Sequence, residues 1–362
     1  MISKYVLVIF WIGFMWIVDK FFYMKRTELV CGKEEKRYTW AFAIVAFIPI
    51  IWIAGHRGWV ADTGLYITNY RNMPTALTEI PSYIASVSKD KGFSVLSVVL
   101  KIFLGADYVP YLMALAIFQG ISIIVFFRKY SSNYLLSIFL FIASTDYLSW
   151  MFNGIRQFMA VTIILFAMPL ILEKKYFRVL LIILLASTMH QSVLLMIPFV
   201  FIAQGEVWNK KTVTFIMAAL LAILFVGKFT NLLDDALSTT QYVNVVSDYT
   251  SWNDDGTNPL RVAVYSIPAL LALLGKERIK EENDPVINLS ANMSIISMGL
   301  YLISMVTSGI FIGRLPIYCS LFGYILLPWE IENIFAIESR NIVYFGTIVA
   351  YLVFYYYSIF LN

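Results

Sequence analysis

Long apolar runs alternate with short polar segments along almost the whole chain. The first run covers residues 2–18, and eleven more lie near residues 39–54, 109–127, 133–148, 155–172, 176–189, 192–203, 212–229, 259–275, 288–308, 312–328 and 341–360. Most approach the roughly 17–25 residues that a helix needs to cross a bilayer. Irregular backbone is costly in lipid, so each run must be helical. The pattern predicts an all-α polytopic membrane protein with about twelve transmembrane helices in a single domain, residues 1–362.

The composition supports this class. The chain has 362 residues, of which 60% are hydrophobic and 14% are charged, against about 45–50% and about 25% in soluble domains. These values exclude a soluble enzyme, a disordered chain and a disulfide scaffold. The two cysteines lie far apart and fit neither a redox pair nor a metal cluster, and a net charge of +4 gives no support for nucleic-acid binding.

Basic residues set the predicted orientation. The first run lacks a basic leader and a cleavage site and is followed by Lys20, Lys25 and Arg26, so we expect a retained span with its N-terminus outside. Twelve spans then place the C-terminus outside as well. Residues 93–104, which include Lys101, are too short to cross, and counting them would place later basic pairs outside. We expect a short re-entrant or interfacial helix there, within an outer loop of residues 55–108.

Arginine and histidine do not follow the orientation rule. Ionisable groups at membrane depth are expensive and commonly line a functional polar cavity. The residues of these two types predicted on the outer side are Arg57, Arg71, Arg156, Arg261, Arg314, His56 and His190.

The first outer loop begins with Arg57, followed by Asp62 and Thr63. Tyr66 and Tyr70 follow at helical spacing and are candidates to stack on a sugar. We interpret the segment as an anion- and hydroxyl-binding edge of an active site. The alternative is an Arg57–Asp62 ion pair that closes the loop.

Two further outer segments carry candidate chemistry. Arg156 lies at the start of a helix, where free backbone N–H groups favour anions, and its guanidinium suits phosphate oxygens. Asn153 and Gln157 beside it favour a polar site over an arginine that snorkels to lipid headgroups. His190 marks a tight outer turn and is either a structural residue or a proton acceptor and phosphate donor.

The outer loop of residues 230–258 is acidic and aromatic, and Tyr249 and Trp252 are candidates to contact a glycan, although a solvated loop has the same composition. Either Arg261 or Arg314, considered alone, is explained by a side chain that snorkels to the lipid headgroups.

The sequence indicates no metal site or common cofactor motif. A calcium-binding loop needs a glutamate at the position that Val262 occupies, so the acidic loop does not fit a calcium site. No zinc, ATP-binding or serine-hydrolase motif occurs, and we expect no metal and no cofactor. Because the outer compartment lacks ATP, synthesis there needs an activated substrate such as a lipid-linked diphosphate sugar.

At these same residues the chain resembles the EpsG family of Wzy-like polysaccharide polymerases. Lys91 departs from the family pattern, where we expect proline. The matching motifs are R-x4-DT-x2-Y from Arg57 to Tyr66, KDKGF from Lys89 to Phe93, NGIRQ-x2-A from Asn153 to Ala160, A-x3-H-x-S from Ala186 to Ser192, and a weaker R-x3-Y from Arg314 to Tyr318.

The resemblance implies a fold like that of the multi-span C-class glycosyltransferases, in the cytoplasmic (inner) membrane of a bacterium. It implies polymerisation of undecaprenyl-diphosphate-linked repeat units on the outer face, with a flippase and a chain-length co-polymerase as partners. A polysaccharide ligase and a lipid-linked oligosaccharide flippase are the alternatives.

The candidate residues have three roles: diphosphate binding, catalysis and glycan binding. The candidates for glycan binding are Tyr66, Tyr70, Asn153, Gln157, Tyr249 and Trp252. In our hypothesis Arg57, Arg156 and Arg314, with Arg261 at similar depth, bind the diphosphate. His190 or Asp62 is the base for an inverting, metal-independent transfer. We favour His190, because pairing with Arg57 would lower the basicity of Asp62.

Overall fold

The computed structural model describes residues 2–59, 62–238 and 255–361, and these residues are mostly helical. This confirms the predicted helical class. The chain divides into two compact units, one formed by Met1–Leu194 with Asn341–Asn362 and the other by Leu195–Arg340. Each unit is described by itself.

The first unit contains helices from both ends of the chain. A short 3-10 turn, Leu77–Glu79, precedes its fourth helix. The α-helices are α1 (Ile2–Phe21), α2 (Trp40–Gly55), α3 (Thr63–Asn72), α4 (Ile80–Ser86), α5 (Lys91–Leu104), α6 (Tyr108–Tyr130), α7 (Tyr134–Ala143), α8 (Asp146–Phe152), α9 (Ile155–Phe166), α10 (Met168–Leu172), α11 (Tyr176–Ser187) and, after the second unit, α19 (Ile337–Tyr356).

A β-hairpin between α1 and α2 is an addition to the predicted all-α fold. Strands β1 (Lys25–Val30) and β2 (Lys33–Tyr38) pair antiparallel through a two-residue turn. Both turn residues, Cys31 and Gly32, have positive φ, +51° and +85°, as a tight hairpin turn of the I′ type requires. The strands are rich in charge and lack apolar alternation, so the hydrophobic pattern does not predict them.

The second unit is built around one long buried helix. Its α-helices are α12 (Met196–Ile202), α13 (Lys210–Leu224), α14 (Val226–Leu237), α15 (Pro259–Leu274), α16 (Lys276–Glu282), α17 (Pro285–Met305) and α18 (Gly323–Asn333), with 3-10 segments at Ile312–Tyr318 and Ser320–Phe322. The 3-10 segment Gln191–Leu195 lies at the end of the first unit along the chain, and its last residue begins the second unit. Helices α13, α15 and α18 pack against α17. Buried serines such as Ser290, Ser294 and Ser297 lie along α17, where small residues allow close helix packing.

Among the described residues, three helices are long and apolar enough to cross a membrane, namely α6, α17 and Ile337–Leu361. The count rises to five if α13 with α14, bent by 106°, and α15 with α16, bent by 69°, each form one span. Other apolar runs are interrupted: residues 155–172, for example, form α9 and α10 with a break before Pro169, which has no backbone N–H to continue the helix. The count of twelve and the outer position of both termini remain predictions.

The short helix predicted within the outer loop of residues 55–108 is α5, of 14 residues. Its Lys101 is buried, and the ammonium group donates to the carbonyl oxygens of Arg71 at 2.7 Å and of Met73. These carbonyls lie at the C-terminal end of α3, where helix carbonyls lack intrahelical partners. Lys101 therefore joins α5 to α3, which explains its place in an otherwise apolar helix.

Candidate functional site

Four sequence motifs that are far apart along the chain meet in the first unit. The segments are the start of α3, the start of α5, the start of α9 and the turn that follows α11. Each segment contributes a polar side chain at a helix end, where the backbone also carries partial charge. The contacts between them define the candidate site.

An ion pair joins the start of α5 to the start of α9. Arg156 Nη1 lies 2.8 Å from Asp90 Oδ2, and the side chain of Asp90 is only 3% exposed while that of Arg156 is 30% exposed. Asp90 adopts the left-handed conformation, with φ of +54°, which aspartate tolerates better than most residues. The buried carboxylate therefore fixes a guanidinium that still reaches the surface.

The first turn of α9 is shaped for an anion. Gly154 occupies its N-cap position and has no side chain with which to bond the first N–H groups of the helix. A Cβ at Gly154 would lie 2.3 Å from the ring of Trp150, so close packing explains the glycine. The N-terminus of α9 thus presents backbone dipoles beside Arg156.

Backbone hydrogen bonds join α5 to the turn after α11. The carbonyl oxygen of Thr188 accepts from the N–H groups of Gly92 at 2.9 Å and Phe93 at 3.3 Å. A Cβ at Gly92 would meet the Thr188 Oγ1 at 2.1 Å and the Thr188 Cβ at 2.5 Å. Glycine is required because the two backbones approach this closely.

His190 lies in the same turn and is linked to α9 through Ser192. Nδ1 of His190 is 2.8 Å from Oγ of Ser192, and Nε2 of Gln157 donates to the same oxygen at 3.4 Å. Gln157 follows Arg156 directly in the first turn of α9. In the neutral tautomer that donates from Nδ1, Nε2 of His190 is an acceptor, as a general base requires.

Arg57 is buried and holds α2, α3 and α8 together. Its Nε donates to Oγ1 of Thr63 at 3.1 Å, its Nη1 donates to the carbonyl of Ala54, and Thr63 in turn donates to the carbonyl of Phe152 at 3.2 Å. Burial lowers the pKa of Arg57 to about 10, and nearby phenols, including that of Tyr66, raise it. The guanidinium is thus charged at neutral pH, with its Nε and Nη1 bonded within the protein.

The expected ion pair between Arg57 and Asp62 is not formed. Asp62 is exposed immediately before α3 and makes no ion pair within the described ranges. Nε of Arg57 donates instead to the hydroxyl of Thr63, the residue that follows Asp62. The preference for His190 over Asp62 that rested on this ion pair therefore loses its basis.

The two tyrosines of α3 have different environments, which corrects the prediction for one of them. Tyr70 is fully buried, stacks on Tyr111 with ring centroids 4.1 Å apart, and donates to the carbonyl of Gly105 at 2.8 Å, so its ring cannot contact a sugar here. Tyr66 is half-buried, and its ring centroid lies 5.9 Å from Cζ of Arg156. Tyr66 thus belongs to the site and Tyr70 to the core.

The other candidates lie elsewhere in the chain. Asn153 is half-buried at the end of α8, next to the first turn of α9. Arg261, in α15, and Arg314, in the 3-10 segment Ile312–Tyr318, belong to the second unit. Tyr249 and Trp252 lie outside the described residues, so their predicted glycan contacts remain predictions.

Sequence reasoning assigned no role to Asp90, Thr188 or Ser192. Asp90 lies within the KDKGF motif, and Thr188 and Ser192 flank His190, so the motifs marked the segments. The pairing across segments needs the fold. Within the described ranges, no group of three or more His, Cys, Asp or Glu side chains is placed to hold a metal ion.

These features define a mostly helical membrane protein with arginine, aspartate and histidine gathered at the ends of short helices. Residues 40–362 match the model of the EpsG family. The chain therefore belongs to the EpsG family, a family of Wzy-like polysaccharide polymerases, which supports a polysaccharide polymerase role and confirms the resemblance in the motifs. No curated protein and no solved structure matches the chain.

Proposed function

We propose that the chain polymerises lipid-linked oligosaccharide repeat units by glycosyl transfer on the outer face of a bacterial cytoplasmic membrane. The glycan donor is carried on undecaprenyl diphosphate, and the acceptor is a hydroxyl of another lipid-linked repeat unit. A flippase that delivers repeat units and a chain-length co-polymerase are the proposed partners. The observation that carries the proposal is the Asp90–Arg156 pair at the start of α9, next to the His190 turn.

Arg156 is the proposed diphosphate ligand. Its guanidinium is partly exposed, and it is held by a carboxylate that is itself buried, so its orientation is set before substrate arrives. The first turn of α9 adds backbone N–H groups on the same side. Preorganised donors of this kind stabilise the negative charge that develops on the leaving diphosphate.

Arg57 is buried and acts on this site through its charge and its hydrogen bonds. Its bonds to Thr63 and Ala54 leave it little freedom, but its charge acts near Tyr66. We assign it to the electrostatic field of the site and to the placement of α3. Arg261 and Arg314 remain proposed diphosphate ligands.

His190 is the proposed base. The acceptor oxygen forms a bond to the anomeric carbon while the bond from that carbon to the diphosphate oxygen breaks, which inverts the anomeric configuration. The acceptor proton passes to Nε2 of His190, and the bonding pair leaves with the diphosphate. The link through Ser192 and Gln157 to the first turn of α9 now favours His190, and Asp62 remains the alternative base.

Side chains near Arg156 have hydrogen-bonding capacity to spare for sugar hydroxyls. Within the described residues, neither the phenol oxygen of Tyr66 nor the amide of Asn153 makes a side-chain hydrogen bond. The ring of Tyr66 also offers an apolar face to a sugar ring. We propose that Tyr66, Asn153 and Gln157 contact the glycan, and that no metal ion is needed because the arginines neutralise the leaving group.

Product analysis of the purified full chain tests this function. With lipid-linked repeat units as the sole substrate, in EDTA, we expect a ladder of glycan lengths. A single addition would identify a ligase, and transbilayer movement of substrate without any new glycosidic bond would identify a flippase. Activity lost in EDTA and restored by magnesium would contradict the metal-independent step.

A further inference from the structure

The second unit contains a cavity of about 510 Å³ that takes no part in the proposed transfer. It lies where α13 begins and is lined by the preceding loop, residues 205–209, and by three lysines, Lys210, Lys276 and Lys280. Glu206 is the one acidic residue in the lining. Three positive charges and one negative charge give the lining a formal charge of +2.

Side chains from α17 fix the loop that forms this cavity. Asn292 is fully buried, and its amide nitrogen donates to the carbonyls of Ala203 at 3.0 Å, Gly205 at 3.2 Å and Glu206 at 3.0 Å. Its amide oxygen accepts from the backbone N–H of Trp208 at 3.2 Å. All of these hydrogen bonds of Asn292 go to residues 203–208, so the loop that forms the cavity wall is held in place.

The start of α13 adds to the positive potential of the cavity. Asn209 is the N-cap and accepts from the N–H groups of Lys211 at 2.9 Å and Thr212 at 3.3 Å. Its amide nitrogen donates back to the carbonyl of Glu206 at 2.9 Å. The positive end of the dipole of this 15-residue helix therefore lies beside Lys210.

The lysines are only weakly neutralised by the protein. Lys280 lies 3.8 Å from the exposed Glu277. Among the residues that the structure describes, Lys210 and Lys276 make no ion pair. Ammonium groups held around one cavity repel each other, and an anion bound between them would remove that cost.

An apolar surface adjoins the lysines. Leu273 and Leu274 directly precede Gly275 and Lys276 and are 48% and 78% exposed. Phe201, at the end of α12, is 61% exposed, and its ring centroid lies 5.7 Å from Nζ of Lys211, the residue that follows Lys210. A ligand with a charged head and apolar tails matches this order of lysines and exposed apolar side chains.

We propose that this cavity binds the phosphate group of an anionic membrane lipid. The predicted topology places the loops before α13 and after α15 on the cytoplasmic side, where basic pockets between helices bind anionic headgroups. A soluble phosphate is the other source of the same chemistry. The site is independent of the glycosyl transfer proposed above.

The test uses the purified full chain in a neutral detergent. Native mass spectrometry measures the dissociation constants of dioleoyl phosphatidylglycerol and dioleoyl phosphatidylcholine, and calorimetry measures that of inorganic pyrophosphate. The test variant is Lys276→Gln/Lys280→Gln. The matched control is Lys20→Gln/Lys36→Gln, which removes two exposed lysines of the first unit.

We expect the wild-type chain to prefer phosphatidylglycerol to phosphatidylcholine. We expect its affinity for phosphatidylglycerol to fall about fivefold for each lysine removed, or about thirtyfold in the double variant, with no change in the control. Lys276→Arg/Lys280→Arg should retain most of the affinity, and single Lys276→Gln gives a second reading if the double variant does not fold.

The measurements with phosphatidylglycerol and with pyrophosphate distinguish the two possible sources of the phosphate. Phosphatidylglycerol binding that depends on Lys276 and Lys280 supports a lipid headgroup. Pyrophosphate binding with the same dependence, and no preference for phosphatidylglycerol, supports a phosphate site that is filled from solution. If neither ligand distinguishes the double variant from wild type, or if the control variant loses as much affinity, the proposal is wrong.

Discussion

The substitution Asp90→Asn tests whether Asp90 acts by orienting Arg156. The change keeps the size of the side chain and an oxygen that can accept from Nη1, and asparagine tolerates the left-handed backbone conformation of this position. It removes the negative charge of a carboxylate that is 3% exposed and lies 2.8 Å from the guanidinium, and it replaces one acceptor oxygen by an NH2 group. The effect therefore reports on the ion pair rather than on a lost fold.

The expected magnitude follows from the strength of the bond. A hydrogen bond to a charged group contributes about 1.5–3 kcal/mol. The variant keeps the charge of the guanidinium but loses that of the carboxylate, and we take this to remove about half of the contribution. The substitution should thus cost about 1–1.5 kcal/mol of orienting interaction. At about 1.4 kcal/mol per factor of ten, turnover should fall about tenfold, short of the 10²–10³ or so expected for loss of the arginine itself.

The assay is the initial rate of glycan extension by purified protein with lipid-linked repeat units. Asp107→Asn is the matched control, because Asp107 is an exposed N-cap and asparagine caps a helix equally well. In an Arg156→Gln background, which removes the positive charge that pairs with Asp90, Asp90→Asn should cost much less, since residues that act through one contact are not additive.

Two results would refute this account of Asp90. The carboxylate also neutralises part of the charge of Arg156, so a faster Asp90→Asn enzyme would mean that neutralisation outweighs orientation. An equal tenfold loss in the Arg156→Gln background would mean that Asp90 acts independently of Arg156.

Four further substitutions test the assignments of site and core. Gly92→Ala should shorten the polymer and lower the melting temperature, because a Cβ would lie 2.1 Å from Oγ1 of Thr188; full-length polymer would contradict the tight α5 contact. Lys101→Met should lower the free energy of unfolding by about 1–3 kcal/mol, since it removes the donor to a buried carbonyl at Met73 and a partly buried one at Arg71, as thermal unfolding in detergent can measure. Tyr70→Phe should cost about 1 kcal/mol of stability with unchanged turnover, whereas Tyr66→Phe should lower turnover at unchanged stability; the reverse pattern would exchange their roles.

The helical class and the segments of the site could be predicted from the sequence because both leave local signals. Apolar runs predict helices wherever lipid excludes unpaired backbone. An arginine followed at once by an apolar run, as at Arg156, indicates a charged group at a helix end. His190 between two apolar runs indicated a turn, and the structure places it between α11 and a 3-10 segment.

The pairing of side chains could not be predicted, because it depends on contacts between segments far apart in sequence. Asp90 and Arg156 are 66 positions apart and meet only when α5 and α9 pack. Asp62 is close to Arg57 in sequence and was expected to be its partner. In the structure, Nε of Arg57 donates instead to the hydroxyl of Thr63, the next residue. Helical spacing likewise grouped Tyr66 with Tyr70, although the two rings occupy different environments.

The central claim is tested most directly by glycan extension with purified Arg156→Ala and His190→Ala proteins, beside Arg178→Ala as the control. Arg178 is an exposed arginine of α11 outside the site. We predict a full ladder of lengths for wild type and Arg178→Ala, with rates at least about a hundredfold lower for Arg156→Ala and for His190→Ala. A ladder formed at the wild-type rate by both site variants would contradict the account.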